Sequence, residues 1–402
     1  MNFIFISPQF PKTYWQFCAG LKINGVNVLG IGDTPYDLLS PSLKMNLNEY
    51  YKVDNLANYD EIFKAVAFFS FKYGKIDYIE SNNEYWLEQD ARIRKDFNII
   101  TGLNSDDILR YKSKFLMKEY YKMANIPIAR YEMVTNYENA LDFISQVNYP
   151  IMIKPDKGVG AAKTYKIVDQ NSLKAFFNIE RNEPYIMEEY IDGAIVSFDG
   201  VVDSKSNPVF CASNEFPFSI ADIVNNKSDL AYYTNKFVPV ELEEAGRRVL
   251  KAFGAKRRFF HLEFFRLASE HAELGKKGDY VALEVNMRPA GGYTPDMIDY
   301  ANSINIYQVW ADVIAFDENR QQSSYDKYYC SFVSRRDIHS YVHSDAEILK
   351  NYGRNIMMKE KMPEVLTSAM GNDVYIARFD TLEEHLEFVK FALQLQEKIP
   401  CD

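Results

Sequence analysis

Val281-Ala-Leu-Glu-Val-Asn-Met-Arg-Pro-Ala-Gly-Gly292 is a short apolar run that stops at a proline and two glycines. Such a run predicts a strand, and a strand's side chains alternate between its two faces. Glu284, Asn286 and Arg288 therefore share one face. Carboxylate and amide oxygens suit a hard divalent cation, and a guanidinium fork beside them suits phosphate or carboxylate. The trio reads as a magnesium–nucleotide site; the alternative is an edge strand with one solvated face.

A second stretch, Arg258-Phe-Phe-His-Leu-Glu-Phe-Phe-Arg-Leu267, alternates in the same way. It places His261, Glu263 and Phe265 on one face and Phe260, Leu262 and Phe264 on the other, the pattern of a strand buried on both sides. A carboxylate buried there needs a basic partner or a metal. The polar connection from Ala268 to Asp279, with Gly275 and Gly278, predicts a hairpin, which sets Glu263 beside Glu284 and makes a shared cation the simplest partner. His261 is either a base or, more simply, a satisfied packing residue.

The chain has 402 residues, 47% hydrophobic and 25% charged, which is ordinary for two to three globular domains with a proper core. A net charge of −10 without any basic run argues against a nucleic-acid partner. Cys18, Cys211, Cys330 and Cys401 are widely separated and suggest neither a zinc site nor a disulfide framework. The start, Met1 to Ser7, lacks a basic segment followed by a long apolar one, and no later run is long enough to span a bilayer. A cytoplasmic protein without membrane association is expected.

The first hundred residues read as a small parallel sheet with helices packed on it. Strands are predicted at Asn2 to Ile6, Val26 to Ile31 and Ile76 to Ile79, and helices at Thr13 to Ile23 and Tyr59 to Phe71. No G-x-G-x-x-G follows the first strand, so the part is a scaffold whose strand ends line a cleft. Glu84 follows the third predicted strand, where such sheets place ligand groups; a helix N-terminal carboxylate is the other reading.

Asp106 to Pro127 predicts one helix with an acidic start, a lysine-rich surface and Lys114 near its beginning. Next, Tyr149-Pro-Ile-Met-Ile-Lys-Pro-Asp-Lys-Gly-Val-Gly160 gives an apolar strand ending at Lys154, then a loop containing Gly158 and Gly160. A lysine inside an apolar strand must reach an anion, and glycines let main-chain N–H groups approach phosphate closely. The spacing is not that of a Walker A loop. Glu183 to Gly193 is an apolar strand that turns polar at Glu188 and Glu189, and its end offers main chain to an adenine edge or is a plain strand and turn.

In this order the pieces resemble the ATP-grasp superfamily over roughly residues 1 to 315: Lys114 before Asn125-Ile-Pro127, Ile153-Lys-Pro155 with its glycine loop, Met187-Glu-Glu-Tyr-Ile-Asp-Gly193, His261-Leu-Glu-Phe264 and Glu284-Val-Asn-Met-Arg288. The resemblance implies an α/β protein of α+β lobes: a Rossmann-like N-terminal domain (1–104), an ATP-grasp domain (105–315) with a lid lobe near 115–190, and a small C-terminal subdomain (316–402). It implies ATP and Mg2+ (or Mn2+) as cofactors. Lys114 and Lys154 would contact phosphates under a loop bearing Gly158 and Gly160. Glu188, Glu189 and Ile191 would form the adenine hinge, with Phe265 as the apolar wall. Glu263, Glu284 and Asn286 would hold the metal, and Arg288 would neutralise the transferring phosphoryl group. Two departures stand out: no acidic residue in Gly193-Ala-Ile-Val-Ser197 after the hinge, and a glycine loop poor in serine.

The activity implied is a carboxylate–amine ligase working through an acyl-phosphate on an amino acid or similar small carboxylate. A bicarbonate-using carboxylase or carbamoyl-phosphate-forming enzyme is the alternative. Arg288 with the Gly291 and Gly292 amides is placed at the substrate carboxylate, together with Glu84, while Asn214 to Tyr233 reads either as a cover for the acceptor pocket or as a surface connection. The tail alternates strands with a closing helix, Thr381 to Lys398, and offers a homodimer surface as a second role.

Overall fold

The computed structural model describes residues 1–158, 163–217, 228–322, 324 and 326–396. Gly160, Cys401 and the middle of the 214–233 segment lie outside the described residues.

Four strands, β1 (Asn2–Ile6), β2 (Asn27–Gly32), β3 (Glu49–Lys52) and β4 (Tyr78–Glu80), make an all-parallel sheet in the order β3-β2-β1-β4. Phe3, Ile4, Phe5 and Ile6 are fully buried, as a strand covered on both faces requires. β3 escaped the sequence reading because Glu49-Tyr-Tyr-Lys52 is a short, half-buried edge strand with no apolar alternation. The chain runs outward from β1 to β2 and β3, then crosses to β4 on the other side of β1. That reversal opens a crevice at the carboxyl ends of β1 and β4, and Glu84 follows β4 there.

A second sheet contains β5 (Tyr131–Met133), β6 (Ile151–Pro155), β7 (Tyr165–Ile167) and β8 (Tyr185–Glu189), antiparallel in the order β5-β8-β6-β7. Its inward residues Ile151, Ile153 and Met187 meet Phe143 and Leu173 from two helices, giving this lobe its own small core.

The third sheet has eight strands: β9 (Gly193–Val202), β10 (Pro208–Phe216), β11 (Leu230–Thr234), β12 (Arg258–Leu267), β13 (Tyr280–Asn286), β14 (Tyr329–Arg335), β15 (Ile356–Lys361) and β16 (Asp373–Phe379). Their order is β13-β12-β9-β10-β11-β14-β16-β15. The strands within 316–402 thus extend the central sheet: β14 pairs along β11, whose unpaired edge would otherwise be exposed. The helix Val240–Phe253 presses on β9 so closely that a Cβ on Gly246 would lie 2.1 Å from Phe198 Cδ1.

Two local expectations are corrected. The helix expected over Asp106 to Pro127 is two, Leu109–Lys112 and Lys114–Met123, broken at Ser113. Ser113 is extended, and its hydroxyl caps the second helix by accepting from Leu116 N at 3.2 Å. The strand carrying Glu284 and Asn286 ends at Asn286, so Arg288 sits in the turn beyond it rather than on the strand.

Candidate active site

The β12–β13 hairpin forms as expected, and its register sets Glu263 opposite Glu284 and His261 opposite Asn286. Side chains directly opposite on one face are neighbours, so the two carboxylates and the amide stand together. One residue of slip would turn all of them to the opposite face.

The second sheet is fastened over this hairpin at two points. Ala282 N donates to Pro127 O at 2.9 Å, which joins the segment before β5 to β13. Asp156, just past β6, accepts from Ser113 Oγ at 2.9 Å and from Phe115 N at 2.8 Å, while Lys114 N donates to the Asp156 carbonyl at 2.9 Å. The end of β6 and the start of the helix Lys114–Met123 are therefore one unit, carrying Lys154 and Lys114 side by side.

Both lysines meet carboxylates. Lys114 Nζ lies 3.1 Å from Glu284 Oε1, and Lys154 Nζ lies 2.6 Å from Glu188 Oε2. A third lysine, Lys118, one helical turn beyond Lys114, lies 2.5 Å from Glu188 Oε1 and is almost fully buried. Burial pushes Glu188 upward, but the two ammonium groups outweigh it and hold the carboxyl down to about 2. For Lys118 burial wins and lowers the ammonium, whereas Lys114 is raised because Glu284 outweighs its burial.

The first sheet supplies the next group. Glu84 Oε1 is 3.0 Å from Lys112 Nζ, and its Oε2 is 3.6 Å from Arg288 Nε. Arg288 also donates to Pro289 O at 2.8 Å and to Asn286 Oδ1 at 3.4 Å. Beyond it, Gly292 adopts φ +63°, which favours glycine, and a Cβ there would sit 2.3 Å from Met370 Cε. Gly291 faces open space, and Gly158 has φ +144° in the segment after β6.

Further along the hairpin, toward its loop, Ile191, Ala129, Leu267, Leu274 and Val281 form an apolar cluster against which Phe265 packs half-buried. Glu189 closes β8 and is held by Arg130, whose Nε and Nη2 donate to Oε2 at 2.8 and 2.7 Å while its main-chain N donates to Oε1 at 2.7 Å. The carboxylates of Glu188 and Glu189 are thus both engaged by basic side chains, and Ile191 and Phe265 share one apolar wall beside them.

A buried polar network passed unnoticed in the sequence. His261 Nδ1 lies 2.7 Å from Asp199 Oδ1 and Nε2 lies 3.5 Å from Glu263 Oε1. Asn214 Nδ2 donates to Asp199 Oδ2 at 2.8 Å, and Thr234 Oγ1 donates to Asn214 Oδ1 at 2.6 Å. Burial disfavours the imidazolium, but Asp199 and Glu263 outweigh it and raise His261 to about 9. Burial likewise opposes ionised Glu263, and His261 leads the groups that hold it below its ordinary value. Polar alternation at Ser197 and Asp199 within β9 was the available signal, since the register puts them opposite Glu263 and His261.

Among the described residues, no three His, Cys, Asp or Glu side chains form a metal-holding group. Two carboxylates and an amide still fit magnesium, which keeps waters and phosphate oxygens in its shell and rarely takes an all-protein cage.

Residues 112–222 match the family described as phosphoribosylglycinamide synthetase, ATP-grasp (A) domain. The chain is 30% identical over 112 residues to the phosphoribosylamine–glycine ligase of Clostridium acetobutylicum, covering 26% of this chain and 27% of that one. It is 23% identical over 267 residues to the L-arginine-specific L-amino acid ligase of Bacillus subtilis, covering 64% and 62%. These matches span less than two thirds of either relative. Its fold is similar to the L-amino acid ligase from Bacillus licheniformis, with a TM-score of 0.69 at 12% identity over 97% of this chain and 96% of that one. It is also similar to N5-carboxyaminoimidazole ribonucleotide synthetase from Thermotoga maritima, with a TM-score of 0.68 at 16% identity over 97% of both chains. Residues 112–222 are thus similar to an ATP-grasp domain, and the likeness of fold to these solved structures extends over nearly the whole chain.

Proposed function

We propose that this protein is an ATP-dependent carboxylate–amine ligase that forms an amide bond through an acyl-phosphate. The observation that carries the reading is a cluster of paired charges drawn from all three sheets: Lys114 on Glu284, Lys154 on Glu188 and Arg288 beside Glu84, around the register-paired Glu263 and Glu284. ATP brings about four negative charges, and a cleft holding several buried cations beside carboxylates is built for such a guest. Glu263, Glu284 and Asn286 would hold Mg2+ (or Mn2+), which when bound neutralises phosphate charge.

In the proposed reaction, a substrate carboxylate oxygen attacks the terminal phosphorus of ATP, the bridging P–O bond breaks, and ADP leaves. Lys114 and Lys154 bind and orient the phosphates, and Arg288 faces the charge that builds on the phosphoryl oxygens. A neutral amine then attacks the acyl carbon, expelling phosphate and shedding a proton as the amide forms. Ile191 and Phe265 provide the wall for the base, with the main chain after Glu189 as the hinge. Glu84, Arg288 and the Gly291–Gly292 turn line the crevice for a small carboxylate, with amino acids the favoured class.

The decisive experiment measures ADP release across amino acids and simple carboxylates, with and without an amine. Release that requires both supports the ligase. Release that requires bicarbonate instead replaces it with a carboxylase or carbamoyl-phosphate-forming enzyme.

A further inference from the structure

Lys118 has no place in the reading so far, yet it is among the most deeply buried side chains of the molecule, with 1% of its surface exposed. It shares Glu188 with Lys154, one ammonium on each carboxylate oxygen. Two cations against one anion leave a net positive charge among groups that are all nearly out of solvent. Glu284 does not balance it, because Glu284 already faces Lys114.

The two lysines differ in what they can do next. Lys154 closes β6 at the edge of the glycine-bearing segment, where a phosphate would arrive. Lys118 lies a turn inside a helix fixed by Ser113 and Asp156 and flanked by the Tyr131 ring 5.8 Å from its ammonium. For Lys154 to reach a phosphate it must leave Glu188 Oε2. With no second partner, that departure would strand a buried carboxylate, which is strongly disfavoured.

We propose that Lys118 is a positioning residue for nucleotide binding: it retains Glu188 so that Lys154 can exchange this carboxylate for the phosphates of ATP. The proposal rests on the ATP-dependent reading above and adds a role to a residue outside the phosphate contacts. In Lys118→Met, Glu188 has only Lys154 left and holds it. In Lys118→Met/Glu188→Gln, nothing holds Lys154 and the hindrance is gone.

The test is calorimetric titration of ATP into the full-length wild type, both single variants and the double variant. The expected results are about tenfold or greater weakening in Lys118→Met and recovery to within about threefold of wild type in the double variant. A merely structural lysine would not give that recovery. Wild-type affinity in Lys118→Met, or a double variant no better than the single one, overturns the proposal. Should Lys118→Met fail to fold, Glu188→Gln and the double variant are compared directly; equal affinity is expected, and about a tenfold gap would show that Lys118 acts by itself, which also overturns it. If the wild type binds no ATP, the ligase reading itself falls.

Discussion

Glu284→Gln should separate the two tasks of this carboxylate with opposite signs. In the absence of metal, Glu284 restrains Lys114 across 3.1 Å, with side-chain exposures of 23% and 9%. Coulomb's law at that distance gives about 1.3 kcal/mol with the dielectric constant of water and about 5 kcal/mol at an effective value of about 20. A quarter-exposed carboxylate lies toward the weaker limit, so we take about 2 kcal/mol. Glutamine keeps the size and an acceptor oxygen, so the change is almost purely one of charge. Without magnesium, ATP binding should therefore tighten, by up to about thirtyfold, because Lys114 is released and a negative charge near the phosphates is gone. With magnesium, turnover should fall at least about a hundredfold, since one of two carboxylate ligands is lost. Titration of ATP in excess chelator and ADP release in excess magnesium read the two effects on one preparation. Weaker metal-free binding in Glu284→Gln, or undiminished magnesium-dependent turnover, would refute the pairing logic.

Arg288→Lys keeps the charge but loses the planar fork, so kcat should drop about a hundredfold while ATP affinity changes little; steady-state kinetics and titration check this. Gly246→Ala drives a methyl into the Phe198 ring and should destabilise by about 1–3 kcal/mol, read from urea unfolding, without altering the site's chemistry. His385, buried with Ser331 Oγ 2.5 Å from Nδ1, is pushed by burial from 6.5 down to about 4. The folded state thus prefers the neutral ring: stability is complete above pH 6.5 and declines by up to about 3 kcal/mol as pH falls from there to 4. His385→Gln should flatten that part of the unfolding midpoint plotted against pH, and an unchanged slope would count against it.

The hairpin was the most legible part of the chain. Period-two alternation in Val281–Asn286 and Arg258–Leu267 sets which neighbouring side chains share a face on either side of the irregularity between Glu263 and Phe264, and a polar connection of about a dozen residues without helical spacing favours an antiparallel return. The lysines were legible for a different reason: Lys154 in an apolar strand had to find an anion. That its anion within the protein is Glu188, expected only as part of the hinge, was not legible, because β6 and β8 become neighbours only through sheet pairing. The break at Ser113 was missed since helical spacing runs straight through it. Its cause is Asp156, more than forty residues away in sequence.

By itself, then, the sequence determined the local periods, the apolar strands, the glycine turns and the types of side chain on each face, because these follow from backbone geometry over a few residues. Tertiary structure alone decided the partners: Lys118 on Glu188, Asp199 on His261, Glu84 beside Arg288, and β14 on β11 so that the tail joins the central sheet. Charges and sheet edges act at the distances the fold creates, and those distances are not written in the spacing of residues along the chain.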